Sequence, residues 1–290
     1  MLFLVGAILS SVMIAVVMKA GRPHIRSNSL VLSVNYIICL ALSLVFVLKD
    51  NGTADFSLFP GVQGLAFAII LGIISGFLYV ETYTLLQWNL TRNGAVLSET
   101  FMKLGVLVPT VLAITWFHET PGVAQVIGLV LAVAAILLIN LEKRPEDAGQ
   151  GGGRSAKPGL VVLLLSGGIC DGLSKVFEVY GNSALASHYL LYLFAAAFLF
   201  CSVRMLIRRE KPGRWDVLYG VLIGVPNYFS ARFLLEALSS VKAVIAYPTY
   251  SVGSILLVMA FGLFLFRERL TRRQYVAIGI ILAALVLLNI

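Results

Sequence analysis

Polar residues in this chain gather in short joints between long apolar runs, with no strict alternation of polar and apolar positions. Ten such runs predict ten membrane helices, at 2–19, 29–48, 62–88, 94–116, 122–141, 159–178, 187–207, 215–237, 242–266 and 272–290. Each run is close to the ~20 residues that a helix needs to cross the hydrocarbon core, where only helices and closed barrels satisfy every backbone group. Without alternation, helices are expected, and the fold class is all-α and integral to the membrane. The runs form two sets of five around a basic, Gly-rich segment. The expected organisation is therefore a first five-helix repeat at 1–141, a cytoplasmic linker at 142–158 and a second repeat at 159–290.

Composition strengthens this reading. With 59% hydrophobic and 12% charged residues, the chain cannot cover a water-soluble globule, so lipid is the expected solvent. The first span lacks a basic leader and a clear small-residue cleavage site, and is expected to persist as a mature helix. No Gly-x-x-x-x-Gly-Lys-Ser/Thr loop is present to cradle nucleotide phosphates. Cys39, Cys170 and Cys201 lie inside apolar spans, and His24, His118 and His188 are scattered, so neither a cofactor nor a metal site is expected.

The net charge of +8 does not point to nucleic acid, because its distribution is one-sided. Alternate joints collect nearly every Lys and Arg, from Lys19, Arg22 and Arg26 through Arg267, Arg269, Arg272 and Arg273. The other set holds Lys49 and Lys242. The basic side is cytoplasmic by the positive-inside rule, which places both termini outside, in a multi-pass protein of the cell membrane, the bacterial inner membrane.

Five-helix repeats in one chain must insert in opposite orientations. The joint after span 1 is basic and its counterpart after span 6 is not, whereas the joint after span 4 lacks Lys and Arg and its counterpart after span 9 is rich in Arg. Sequence echoes follow the same order: Ala95-Val96-Leu97 with Ala243-Val244-Ile245, and Phe117, Glu119 and Gln125 with Phe266, Glu268 and Gln274. Inverted repeats commonly build a midplane site that opens alternately to each side, so transport is the natural expectation.

The paired elements Pro109-Thr110, Phe117-His118-Glu119 and Gly128, and Pro248-Thr249, Phe266-Arg267-Glu268 and Gly279, resemble the drug/metabolite transporter superfamily, EamA-like type. The glycine that usually precedes the turn glutamate in that family is His118 or Arg267 here. The resemblance implies ten spans and a cavity lined by spans 1, 3, 4, 6, 8 and 9. It also implies cytoplasmic termini, whereas the charge count places them outside.

Ionisable residues inside the spans cost roughly 2.5–3.5 kcal/mol each at a helix centre, so they should face one another or water. Glu99 with Lys103, Asp171 with Lys175, and Arg232 with Glu236 are each four apart, on one helical face. The candidate substrate-binding residues are Lys103, Asp171, Lys175, Asn227, Arg232, Tyr247, Tyr250 and Ser251, and the candidate proton-coupling acids are Glu81 and Glu99. Glu119 and Glu268 are expected to cap the helices they precede. The function expected is that of a secondary transporter, not an enzyme, moving a small polar organic metabolite, an amino acid-like zwitterion or an organic anion, with proton coupling as a candidate. The alternative is a membrane-embedded enzyme or flippase acting on lipid-linked substrates.

Overall fold

The computed structural model describes residues 1–21, 23–51, 59, 61–93, 95–140, 157–208, 213–265 and 271–290. Residues 142–156 of the expected linker, together with Phe266, Arg267 and Glu268, lie outside the described residues. Within them the chain is all-helical, with no strand. The helices are α1 (Leu2–Gly21), α2 (Asn28–Asn51), α3 (Leu65–Asn93), α4 (Ala95–Leu104), α5 (Leu107–Thr115), α6 (Val123–Asn140), α7 (Lys157–Tyr180), α8 (Ala186–Arg208), α9 (Arg214–Leu238), α10 (Ala243–Leu265) and α11 (Arg272–Leu288). Seven of them, α1, α2, α3, α7, α8, α9 and α10, are long and apolar enough to cross a membrane, and Thr100–Thr115 and Val123–Leu138 form shorter apolar stretches. The chain is thus a multi-pass membrane protein.

Contacts divide it into two compact units, Met1–Val80 with Leu173–Ser239 and Glu81–Gly172 with Ser240–Ile290. Each unit draws on both sides of the linker, and the division falls within α3 and α7.

In the first unit α9 packs along α1 and α2, and α2 also packs along α8. The approach of α9 to α2 depends on Gly220 and Gly224, four residues apart on one face. A Cβ on Gly220 would sit 2.6 Å from the Val34 Cβ, and one on Gly224 2.6 Å from the Ile38 Cβ. In lipid, where hydrocarbon gains nothing by leaving the solvent, such small-residue seams let dispersion and polar contacts hold helices together. The core beside the seam is aromatic: Phe177 stacks on Tyr189 with ring centroids 4.3 Å apart, and the Tyr189 hydroxyl bonds Ser75 at 3.0 Å. At one end, the fully buried Asp216 in the first turn of α9 accepts from the backbone N–H groups of Arg26 (2.8 Å), Ser27 (3.2 Å) and Gly213 (2.9 Å). It therefore ties the start of α2 to the start of α9.

In the second unit α6 packs on α11, and α10 on α5, α6 and α11. The run expected as a single span at 94–116 is interrupted between α4 and α5. Pro109 has no N–H to offer the Gly105 carbonyl four residues back, which accepts from the Val108 N–H at 3.0 Å instead. The break lies against α7 backbone to backbone, since a Cβ on Gly168 would come within 2.4 Å of the Gly105 carbonyl oxygen. After α5, His118 adopts φ 53°, in the left-handed region that glycine enters without cost. That turn brings the Glu119 carboxylate onto the N–H groups of Ala243 (3.1 Å) and Val244 (2.9 Å). Glu119 thus caps α10, a different helix from the one it precedes.

Candidate functional site

Four helix ends of the first unit enclose a cavity of about 510 Å³. The end of α2 supplies Asp50, the end of α7 Phe177 and Glu178, the start of α8 Ala186, Ser187 and Leu190, and the end of α9 Arg232, Leu235 and Glu236, with Ser183 and Ser239 from the flanking joints. Its walls join ionised groups to an apolar surface made by Phe177, Leu190 and Leu235.

Arg232 organises the polar side. Its Nη1 donates to the Ser187 hydroxyl (2.9 Å) and the Tyr228 hydroxyl (3.3 Å), its Nη2 to Asp50 Oδ2 (3.3 Å) and its Nε to Glu236 Oε1 (2.9 Å). Ser187 in turn donates to the same Asp50 oxygen. The ring of Phe46 lies against the guanidinium face, its centroid 4.1 Å from Cζ. Such a planar cation, held by several acceptors and an aromatic face, is fixed far more rigidly than an ammonium would be. On the neighbouring wall, Lys175 donates to Glu178 Oε2 at 2.6 Å, its side chain only 9% exposed.

Arg232 pairs with Glu236 across one helical turn, as their spacing predicts. The structure adds Asp50 and Ser187, two partners not among the residues expected from sequence. The apolar run of span 2 suggests an end at residue 48, but α2 continues through Asn51 and carries Asp50 in on its last turn. A carboxylate next to Lys49 at the margin of an apolar run is the signal that could have found it.

The remaining candidates lie elsewhere. Asn227 sits in the seam of α2 and α9, donating to Asn35 Oδ1 at 3.1 Å and to Cys39 Sγ at 3.7 Å. In the second unit, Lys103 closes α4 and is exposed, and its charge acts on the half-buried Asp171 of α7. The Asp171 carbonyl accepts from the buried Tyr247 hydroxyl at 2.7 Å, so α7 and α10 are tied beside that charge pair. Ser251 is buried on α10, while Tyr250 and Glu81 are half-buried. The side chain of Glu99 lies outside the described residues. Among the described residues, no three His, Cys, Asp or Glu side chains gather as metal ligands would.

No family model matches the chain. It is 25% identical over 284 residues to an uncharacterised protein of Haemophilus influenzae, covering 97% of this chain and 95% of that one. It is 27% identical over 242 residues to the glucose uptake protein GlcU of Bacillus subtilis, covering 76% of this chain and 78% of the relative. A protein of known crystal structure, 13% identical, aligns over 99% of this chain and 94% of its own with a TM-score of 0.76, a likeness of fold alone.

Proposed function

We propose that the chain is a secondary transporter, a carrier and not a catalyst, which moves a small polar organic solute across the cell membrane through the cavity around Arg232. The observation that carries this reading is a cavity of about 510 Å³ in an apolar helical protein, with charged side chains on one wall and hydrocarbon on the other. Pockets of roughly 300–1,000 Å³ with a few fixed polar groups are the usual form of small-molecule sites. The relative named for glucose uptake supports solute transport as the general activity.

In this reading the membrane fold has ten spans. The broken pair α4–α5 serves as the fourth, α6 as the fifth and α11 as the tenth, beside the seven long helices. Residues 1–141 and 159–290 act as inverted five-helix repeats of the EamA-like kind and support alternating access. The cavity lies at helix ends away from the basic joints, which by the positive-inside rule is the side opposite the cytoplasm. Lys103, Asp171 and Tyr247 form a polar locus within the second unit, and Glu81 and Glu99 are the carboxylates offered for proton coupling.

The test is counterflow in proteoliposomes with a panel of radiolabelled D-glucose, alanine and succinate. Ala186→Trp, which fills the cavity from the first residue of α8, is expected to cut uptake of the transported member at least tenfold while the protein still elutes as a single folded species. Full counterflow in that variant would overturn the assignment of the cavity.

A further inference from the structure

We infer that the cavity selects its solute by hydrogen-bond donors: it takes an uncharged polyhydroxylated molecule and rejects anions. Asp50, Glu178 and Glu236 are its specificity-determining residues, and Arg232 is a structural pin. This rests on the reading of the cavity as the solute site.

An arginine beside a polar cavity invites the opposite conclusion, that it grips a carboxylate or phosphate. Donor bookkeeping argues against it. A guanidinium carries five N–H groups, and four are committed here, to Ser187, Tyr228, Asp50 and Glu236. A single remaining N–H cannot form the two parallel bonds by which arginine holds an oxyanion. Freeing a second would strip Asp50 or Glu236 of its counter-charge. Lys175 is no substitute, since it is buried and bound to Glu178 at 2.6 Å.

Acceptors are the group in surplus. The bonds above use Oδ2 of Asp50, Oε1 of Glu236 and Oε2 of Glu178, and among the described residues the second oxygen of each carboxylate stays available. Three carboxylates line the cavity against one guanidinium, and counting the buried Lys175 still leaves a negative balance. An entering anion therefore meets like charge and too few donors. A polyol meets three carboxylate oxygens suited to its hydroxyls, and the apolar surface of Phe177, Leu190 and Leu235 suits the C–H face of a sugar ring. A positive charge is not required, because Arg232 and Lys175 already neutralise most of the acids.

A matched series of pyranoses isolates the charge. Binding of D-glucose, D-glucosamine and D-glucuronate to the detergent-solubilised full chain is measured by calorimetry, with thermal shift as a second readout. Glucose and glucosamine are expected within about threefold of each other, and glucuronate at least tenfold weaker. Glu178→Gln removes one negative charge from the cavity wall, so it should shrink the glucuronate penalty below threefold. Should that variant not fold, Asp50→Asn, at a more exposed carboxylate, is expected to shift the ratio in the same direction. Equal or tighter glucuronate binding overturns the inference. So does glucosamine binding more than tenfold tighter than glucose, absence of binding by all three, or a glucuronate penalty unmoved in a folded variant. A carrier that is blocked by Ala186→Trp yet prefers glucuronate sinks this inference alone, whereas insensitivity to Ala186→Trp sinks the transport site itself.

Discussion

Replacing Asp216 by alanine tests how firmly one buried carboxylate holds the first unit together. It is fully buried and accepts three backbone N–H groups, from Arg26 and Ser27 at the start of α2 and from Gly213 before α9. Each buried donor left unsatisfied costs about 1–3 kcal/mol. At the low end, allowing for partial solvation of a helix start, the three together cost about 3 kcal/mol. The carboxylate also faces the positive end of the α9 dipole, an effect of about 0.3–1 kcal/mol. With roughly 2–4 °C lost per kcal/mol, Asp216→Ala should lower the melting temperature by about 6–12 °C. Asp216→Asn keeps one carbonyl acceptor and should fall between the two. The assay is thermal unfolding of the purified, detergent-solubilised chain, followed by loss of the monodisperse peak. A drop below about 2 °C for the alanine variant would refute the reasoning, because it would mean those N–H groups find other acceptors at little cost.

Other substitutions probe the remaining contacts. Gly224→Leu, aimed at the Ile38 Cβ across the α2–α9 seam, should cost about 1–3 kcal/mol or more and appear as reduced yield of folded protein. His118→Gly relieves the left-handed backbone at φ 53° and is expected to raise stability by about 1 kcal/mol, read as a higher melting temperature. Arg232→Lys keeps the charge but loses the fork to Ser187, Asp50 and Glu236, so thermal unfolding should place it close to Arg232→Gln, not to the unmodified chain. Thr271→Ala removes a reciprocal cap with Gln274 at the start of α11, for an expected loss of about 1 kcal/mol in thermal unfolding.

What the sequence discloses of this fold is what periodicity and length encode. Long apolar runs make helices, and their polar joints mark the ends. The i, i+4 rule joins Arg232 to Glu236 because both partners lie on one helix. It cannot find Asp50 or Ser187, which reach Arg232 only through the packing of α2, α8 and α9. The same limit explains Glu119. Its acidity and place at a joint announce a cap, but which N–H groups it meets depends on the turn at His118, and nothing local names α10. Pro109 marks a weakened helix in the sequence, yet the clean division into α4 and α5 also requires the close approach of Gly105 to Gly168, two residues remote in the chain.

That division has a mechanical meaning. A rod cut part-way can change its tilt on one side of the cut while the other keeps its seat, and the carbonyl contact at Gly168 clamps the cut itself. Beyond the break runs the short segment from Leu107 onward, followed by the turn whose Glu119 bonds the first N–H groups of α10. Any change of tilt in that nine-residue helix would therefore be felt at the start of α10.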